Sequence, residues 1–287
     1  MTIRDVVEQG AQILARAHVA NARRDAQVLL SSVLGVERTT LYAYPEREVT
    51  PEQAERFFQL ITRRGEGAPV AYLLGNKEFY GRNFLVDRRV LIPRPETEIL
   101  VEAALAVVRR KLSAGQVPVV ADIGTGSGAI PITIAAEEPH LPYLYACDIS
   151  SDALAVAYLN CVYHHVEERV RLLQGDLLEP LPEAVDLLTA NLPYVGTQEM
   201  AILEHDVKDY EPPLALFSGV EGLDLLQRLC RDAQRSAILK PGAVMLLEIG
   251  YQQREPLTRL LHELWPQVTI TYQQDYSGWD RLLQLAL

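Results

Sequence analysis

The sequence predicts an α/β domain with a doubly wound, mostly parallel sheet of seven strands, preceded by a small helical bundle. From residue 117 onward, short apolar runs alternate with helix-like segments, which is typical of parallel strands covered by helices on both faces. Residues 1–75 instead place apolar residues three and four positions apart, as amphipathic helices do. A glycine-rich turn follows the first strand of the α/β region, where such sheets commonly bind ligands.

The composition indicates a globular protein with a sizeable core. Of the 287 residues, 48% are hydrophobic and 23% are charged. No apolar run approaches the roughly 20 residues that span a bilayer, and the first residues lack the pattern of a secretory signal. The three cysteines are widely spaced and form no CxxC pair, which suggests buried thiols in a reducing compartment. We therefore expect a cytoplasmic protein that does not enter a membrane.

The formal net charge of −11 argues against extensive nucleic-acid binding, because duplex-binding proteins usually carry a basic stripe. The longest clusters of basic residues are short, such as Arg109-Arg110-Lys111. The pair His164-His165 has no acidic or cysteine partner at ligand spacing, so no metal site is expected.

The chain divides into three predicted segments. A helical domain covers 1–75, a linker with a β-hairpin covers 76–93, and the α/β domain covers 94–287. The hairpin is predicted over Phe79–Val86, where aromatic residues flank a turn-forming glycine.

Two helix starts are marked by proline. Thr50-Pro-Glu-Gln53 combines an N-cap residue, a proline at the first helical position and a capping-box glutamine. In Ile92-Pro-Arg-Pro95 the prolines prevent a helix until Pro95 begins one, and this helix is predicted to run to about Lys111.

The pattern of the α/β region predicts seven strands and four further helices. The last two predicted strands leave no room for a helix between them, so they should pair antiparallel. Pro241-Gly242 is expected to form a turn into the fifth strand. The strands are predicted at 117–123, 143–148, 170–174, 185–190, 243–249, 268–272 and 282–286, and the helices near 129–138, 151–164, 222–237 and 253–264.

The turn Gly124-Thr125-Gly126-Ser127-Gly128 joins the first of these strands to a helix. Glycines let the backbone bend sharply and let a ligand approach without a Cβ in the way. The spacing is GxGxG and differs from the dinucleotide fingerprint GxGxxG. We predict a nucleotide-like cofactor here, and the alternative is a simple strand-to-helix turn.

Acidic residues end the next two strands. Asp148 is placed to accept the ribose hydroxyls of an adenosine moiety; its alternative role is to cap the following helix, although Ser150 and Ser151 also suit that task. Asp176 is placed to accept a hydrogen bond from an adenine amino group, with Leu177 packing nearby. A loop aspartate without a ligand is the alternative for Asp176.

The fourth strand ends in Asn191-Leu192-Pro193-Tyr194. An amide side chain, nearby carbonyls and an aromatic face can hold a planar NH2 group. A turn asparagine is the alternative for Asn191, but its position beside three other ligand-suited strand ends favours the binding role. We therefore predict that the chain brings a planar, amine-bearing group to its cofactor.

These motifs resemble the class I S-adenosylmethionine-dependent methyltransferases, and more closely the protein-(glutamine-N5) methyltransferases of peptide chain release factors, the HemK or PrmC group. The resemblance covers essentially the whole chain. It is carried by the glycine turn, by Ile92-Pro-Arg-Pro-Glu-Thr-Glu98, by Asn191–Tyr194, by Glu211-Pro-Pro and by Leu247-Glu-Ile-Gly.

The resemblance implies a Rossmann-like catalytic domain and a function. Gly124, Thr125, Gly126, Ser127 and Gly128 would hold the methionine end of S-adenosylmethionine, Asp148 the ribose, and Asp176 with Leu177 the adenine. Asn191 would lie against the cofactor as well and, with Leu192, Pro193 and Tyr194, would bind the substrate glutamine of the Gly-Gly-Gln motif of a release factor. The products would be methylglutamine and S-adenosylhomocysteine, and the enzyme is expected to be a monomer. The helical domain would dock the protein substrate.

The chain departs from the family motif Asn-Pro-Pro-Tyr at Leu192. The backbone carbonyl survives this change, while the fixed φ of proline is lost. Pro193 still biases Leu192 towards an extended conformation. We expect activity to persist, while substrate affinity or selectivity could differ.

Three other functions stay open at the level of sequence. The same planar NH2 group occurs in adenine, so the enzyme could methylate N6 of adenine in a nucleic acid; this would require a flipped base and a basic channel. A glutamine of a ribosomal protein is a second possible substrate. A catalytically silent cofactor-binding adaptor is the third.

Overall fold

The computed structural model describes residues 1–201 and 205–287. The chain forms two compact units, Met1–Asn76 with Glu204–Tyr210, and Lys77–Leu203 with Glu211–Leu287. Within the described residues, no helix is both long enough and apolar enough to cross a membrane.

The smaller unit is helical. Thr50 Oγ1 accepts a hydrogen bond from the Gln53 amide at 3.3 Å, and Gln53 Oε1 accepts one from the Thr50 amide at 3.1 Å, so the predicted capping box is confirmed. The unit packs around large apolar side chains such as Phe57, Leu29 and Leu30, all fully buried. Its main helices are α1 (Ile3–Arg16), α2 (Ala22–Leu34), α3 (Arg38–Ala43), α4 (Pro51–Gly65) and α5 (Val70–Leu74), and a short helical turn follows at His205–Lys208.

The larger unit contains a seven-stranded sheet and, except for Asn76, the hairpin, which begins three residues before the predicted Phe79 because Tyr80 and Gly81 form its turn. The hairpin consists of β1 (Asn76–Phe79) and β2 (Arg82–Leu85). The sheet strands are β3 (Val120–Ile123), β4 (Leu144–Asp148), β5 (Val170–Gln174), β6 (Val185–Ala190), β7 (Leu239–Glu248), β8 (Thr269–Gln274) and β9 (Asp280–Ala286).

The strand order is β5-β4-β3-β6-β7-β9-β8. Strands β3 to β7 pair in parallel, while β9 pairs antiparallel with both β7 and β8. The predicted mostly parallel sheet with an antiparallel final pair is therefore confirmed. The chain moves outward from β3 through β4 to β5 and then returns to place β6 on the other side of β3. This reversal opens a crevice at the carboxyl ends of the central strands, where open α/β sheets bind ligands.

Helices cover both faces of the sheet because successive strand residues point to opposite faces. Leu187 packs with the helices of one face and Leu188 with those of the other. The first face carries α6 (Glu98–Ser113), α7 (Ala129–Glu137) and α8 (Ser151–Tyr163), and the second carries α9 (Asp224–Ser236) and α10 (Arg254–Leu264).

The start of β7 differs from the prediction. The strand begins at Leu239, four residues before the predicted Ala243, and contains the Pro241-Gly242 pair that was expected to form a preceding turn. Val185 pairs with Leu239 whereas Leu187 pairs with Val244, so the intervening residues bulge out of the ladder. A bulge accommodates a proline without a ladder bond and a glycine at φ +75°.

Candidate active site

A mostly apolar cavity of about 230 Å³ opens at the carboxyl ends of the central strands, entirely within the larger unit. Its walls come from the loops after β3, β4, β5 and β6 and from the segment before α6. Most predicted site residues therefore come together around one space. Those that line it are Gly124, Thr125, Gly126, Ser127, Asp148, Asp176, Leu177, Asn191, Leu192 and Pro193.

The glycine turn has the left-handed backbone that its residue types suggest. Gly124, Gly126 and Gly128 have φ values of +74°, +54° and +80°. A Cβ on Gly126 would enter open space, so this residue leaves room on the cavity side of the turn. A Cβ on Gly128 would lie 2.7 Å from Ile132 Cδ1, so Gly128 serves close packing at the start of α7.

Asp148 holds the glycine turn in place. Its Oδ2 accepts a hydrogen bond from the Gly126 amide at 2.8 Å, and its Oδ1 accepts one from the Ser150 amide at 2.9 Å. The helix cap is Ser150, whose hydroxyl accepts from Ala153. Burial raises the pKa of Asp148, and these backbone amides oppose that rise. A carboxylate has about four acceptor sites in all, so Asp148 can still accept a hydrogen bond from a ligand hydroxyl.

The third strand end combines an ion pair with a strained backbone. Asp176 Oδ2 accepts a hydrogen bond from Arg228 Nη2 at 2.5 Å, so a cation at the cavity wall holds this carboxylate. Leu177 adopts φ +49°, which is unfavourable for a residue with a Cβ, and it is 8% exposed. Such strain is common where a binding site dictates the backbone.

Asn191 belongs to a buried chain of hydrogen bonds. Its Nδ2 donates to Thr97 Oγ1 at 3.0 Å, and the Thr97 hydroxyl donates to Glu248 Oε2 at 2.7 Å. The other oxygen of Glu248 accepts a hydrogen bond from the Tyr194 hydroxyl at 3.2 Å. Glu248 ends β7 and is 1% exposed. Burial raises the pKa of Glu248, while the Thr97 hydroxyl and the nearby Arg281 cation oppose that rise.

Leu192 joins the two predicted binding segments. It is 4% exposed, and a Cβ on Gly124 would lie 2.7 Å from Leu192 Cδ2. The side chain at the position where the family motif has proline therefore packs on the glycine turn. The Leu192 side chain forms an apolar wall between the two loops.

Tyr194 lies behind the cavity wall and is fixed at both ends. Its hydroxyl donates to Glu248, and its carbonyl accepts a hydrogen bond from Gln253 Nε2 at 3.0 Å. The same Nε2 group donates to the Gly222 carbonyl at 3.0 Å, while Gln253 Oε1 accepts from the Gly250 amide. Burial raises the pKa of Tyr194 far above the physiological range, so the hydroxyl stays protonated.

The Ile92–Glu98 segment is held by a buried carboxylate. Glu211 Oε1 accepts a hydrogen bond from Arg94 Nη2 at 2.5 Å, and Oε2 accepts one from the Ile92 amide at 3.1 Å. The Glu211 side chain is only 1% exposed. This contact explains why the Ile-Pro-Arg-Pro and Glu-Pro-Pro motifs, far apart in sequence, occur in one site.

Asp122 lies under the glycine turn at the end of β3. Thr189 donates to its Oδ1 at 2.7 Å. Its Oδ2 and Thr125 Oγ1 are buried and make no hydrogen bond of good geometry within the described part of the chain. Burial raises the pKa of Asp122 to about 6. Buried polar atoms of this kind next to an apolar cavity suit a ligand with polar groups.

Sequence reasoning assigned no role to several residues that shape this site. Thr97, Glu248 and Glu211 lie inside the motifs that carry the family resemblance, and this placement was their only signal. Asn160 lies outside those motifs. It is fully buried and donates to the Ser127 carbonyl at 2.9 Å, and its amide forms two further hydrogen bonds with the backbone of Leu85.

Two family models match the chain. The model described as the PrmC N-terminal domain matches residues 5–75, and the model described as the methyltransferase small domain matches residues 100–207.

The chain is also similar to curated relatives named release factor glutamine methyltransferase. The protein from Koribacter versatilis is 38% identical over 265 residues, which cover 92% of this chain and 91% of that protein. The protein from Moorella thermoacetica is 39% identical over 282 residues, which cover 98% of this chain and 97% of that protein.

Among solved structures, the chain is similar to the hMettl16 catalytic domain in complex with the MAT2A 3'UTR hairpin 6. The TM-score is 0.54 at 16% identity, over 83% of this chain and 81% of that one. At this level of identity the likeness shows the fold alone.

Proposed function

The chain belongs to the release factor glutamine methyltransferase family, and on this premise we propose that it methylates the side-chain amide nitrogen of a glutamine in a peptide chain release factor. The methyl donor is S-adenosylmethionine, and the target is the glutamine of the Gly-Gly-Gln motif. One observation carries the proposal. The Asn191 segment lines the same cavity as the glycine turn, so the loop that we propose to bind the amide lies beside the loop that we propose to bind the cofactor.

The residues around the cavity fit the cofactor. Asp148 retains lone pairs for the ribose hydroxyls, and Asp176 offers an acceptor for the adenine amino group. Leu177 and Leu225 supply apolar surface for the base. The buried Thr125 hydroxyl supplies a polar group near the glycine turn, where the methionine end would lie.

The reaction requires a poor nucleophile to attack, because the lone pair of an amide nitrogen is delocalised into its carbonyl. S-adenosylmethionine supplies a methyl group on a positively charged sulfur. Asn191 Oδ1 and the Leu192 carbonyl accept the two N–H bonds of the substrate amide in our proposal. This holds the nitrogen towards the methyl group and stabilises the positive charge that develops on it. The proton leaves once the methyl group has transferred, so no base has to remove it first.

In our proposal the aromatic ring of Tyr194 packs on the plane of the substrate amide beyond the residues that line the cavity. Its hydroxyl and carbonyl are already bound to Glu248 and Gln253, so the ring has little freedom. A fixed wall reduces the entropy lost when the substrate side chain binds.

We propose that the helical unit docks the release factor and that the protein acts in the cytoplasm. A formal net charge of −11 suits a basic partner surface. All three cysteines, Cys147, Cys161 and Cys230, are free and buried, as is usual in a reducing compartment.

The test is methyl transfer from labelled S-adenosylmethionine. The purified chain is incubated with a release factor, with the same factor carrying Gln→Ala in its Gly-Gly-Gln motif, with ribosomal proteins and with DNA. Label on the unmodified factor alone is the expected result. Label that persists on the Gln→Ala factor, or appears on DNA or ribosomal protein instead, would refute the substrate assignment. Absence of transfer despite cofactor binding would indicate a silent adaptor.

A further inference from the structure

The Thr97 hydroxyl does not cap the helix that it precedes. Thr97 is the N-cap of α6, where a threonine oxygen normally accepts a hydrogen bond from the first turn of the helix. No such capping bond is made here. The hydroxyl instead bridges Asn191 and Glu248, and Thr97 and Glu248 are 4% and 1% exposed. The bridge therefore connects the proposed substrate loop, Asn191–Tyr194, to the interior of the protein.

The bridge determines which way the Asn191 amide faces. A hydroxyl has one hydrogen to donate, and the Thr97 hydroxyl donates it to Oε2 of Glu248 at 2.7 Å. Towards Asn191, Thr97 therefore presents a lone pair. An amide oxygen would be repelled there, whereas the NH2 group forms a hydrogen bond. As a consequence Asn191 Oδ1 faces away from Thr97.

Glu248 is itself held in position. The Tyr194 hydroxyl donates to its second oxygen, and Arg281 contributes a nearby positive charge. Arg281 in turn donates to the Ile249 carbonyl at 3.2 Å and pairs with Asp275 at 3.2 Å. The Glu248 carboxylate thus contacts both the Thr97 hydroxyl, which binds Asn191, and the hydroxyl of Tyr194.

We propose that Thr97 and Glu248 are positioning residues that orient the Asn191 side-chain amide so that its oxygen meets the substrate amide. A rotated Asn191 would turn its NH2 group towards the NH2 group of the glutamine, and two donors form no hydrogen bond. This inference rests on the proposed function for its catalytic consequence. The orientation itself is a property of the unliganded protein and is measurable without turnover.

The first test is NMR of the asparagine side chains. The chain has five asparagines, Asn21, Asn76, Asn83, Asn160 and Asn191, so selective ¹⁵N labelling gives a short spectrum in which Asn191→Ala identifies the Asn191 signals. We expect Asn191 to exchange its amide hydrogens slowly. Thr97→Val should accelerate that exchange about five- to tenfold, the effect of losing one net hydrogen bond. Buried Asn160 serves as the internal control for an intact fold.

Thr97→Ser retains a hydroxyl and should restore slow exchange at Asn191. Thr97→Val removes a partner from the buried Glu248 carboxylate and could unfold the domain. Thr97→Val combined with Glu248→Gln avoids that buried charge and gives a second route to the same measurement. Exchange at Asn191 that is as slow in the valine variants as in the unsubstituted protein would overturn the inference.

The second test is kinetic. With the release factor as substrate, Thr97→Val should lower kcat about tenfold, because small misplacements of a positioning group are costly. The Kd of S-adenosylmethionine should stay within about twofold, and Thr97→Ser should restore kcat. In an Asn191→Ala background the effect of Thr97→Val on kcat should disappear, because Thr97 acts through Asn191. An undiminished effect in that background would show a structural role and refute the proposal.

The two hypotheses fail in distinguishable ways. In one outcome the unsubstituted protein does not methylate the release factor, while Thr97→Val still accelerates hydrogen exchange at Asn191. In that case the proposed function fails and the orientation of the amide stands. If the release factor is methylated but substitutions of Thr97 leave the rate of hydrogen exchange at Asn191 unchanged, the proposed function stands and the positioning role is wrong.

Discussion

Gly124→Ala tests whether the Leu192 side chain packs the Asn191–Tyr194 loop against the glycine turn. Gly124 has φ +74°, and an added Cβ would lie 2.7 Å from Leu192 Cδ2 and 3.9 Å from the Asn191 carbonyl oxygen. The substitution therefore imposes both backbone strain and a steric overlap. The overlap involves one specific partner, which makes it separable from the strain.

The cost follows from these two contributions. A left-handed backbone costs an alanine about 1–2 kcal/mol, and overpacking a closely packed site costs about 1–3 kcal/mol. We expect Gly124→Ala to lower the free energy of unfolding by about 2–5 kcal/mol in total. Gly115 is a matched control because its φ is also +74° and nothing lies within 4 Å of its Cβ position. Gly115→Ala should lose only the strain, about 1–2 kcal/mol.

The assay is urea unfolding followed by tryptophan fluorescence. Both tryptophans, Trp265 and Trp279, lie in the larger unit, so the signal reports that unit. The same variants are titrated with S-adenosylmethionine by calorimetry. A Leu192 side chain displaced into the cavity should weaken cofactor binding in Gly124→Ala and leave it unchanged in Gly115→Ala.

A double-mutant cycle isolates the contact. Leu192→Ala removes the atom that the new Cβ would meet, so the double variant should be more stable than the sum of the single effects by about 1–3 kcal/mol. Strict additivity would refute the packing of Leu192 on the turn. An equal loss for the Gly124 and Gly115 variants would refute it as well.

Asn191→Ala should lower turnover about 100-fold, the effect of removing one group that stabilises developing charge, while calorimetry shows an unchanged Kd for S-adenosylmethionine. Asp122→Asn should change the pH dependence of stability in the unliganded protein. Burial raises the pKa of Asp122 from 3.8 to about 6, so the folded state binds the proton more tightly. The stability contributed by this group is complete below about pH 4 and is lost as the pH rises through about 6, by about 3 kcal/mol in all. Urea unfolding from pH 4 to 8 should show the variant gaining relative stability over that window. Asn160→Ala removes three hydrogen bonds of a fully buried side chain and should cost about 3 kcal/mol in the same assay, whereas exposed Asn83→Ala should be neutral.

Each of these predictions has a clear contrary result. A large fall in cofactor affinity in Asn191→Ala would make Asn191 structural. A pH-independent difference between Asp122→Asn and the unsubstituted protein would mean that Asp122 does not titrate in this window. Equal stability of the Asn160 and Asn83 variants would show that the contacts of Asn160 with Leu85 and Ser127 contribute nothing.

Local sequence patterns predicted most of the architecture. The strands at 170–174 and 185–190 match the predicted bounds, and the other sheet strands overlap their predictions. The predicted start of β7 was wrong. Pro241 and Gly242 are turn residues by propensity, and they belong to a bulged strand only because β7 pairs with β6. The domain boundaries at 75 and 93 and the roles of the site residues stay predictions.

The sequence by itself determined that three acidic or amide residues and a glycine turn end neighbouring strands. Periodicity places strand ends, and parallel strands bring their carboxyl ends to one edge. The tertiary structure decided how those residues are held. Asn191 and Thr97 are 94 positions apart, and Asn160 and Leu85 are 75 apart. Such contacts depend on how helices and loops pack on the sheet, and local pattern carries no information about that packing. The direction of the Asn191 amide is therefore a property of the fold.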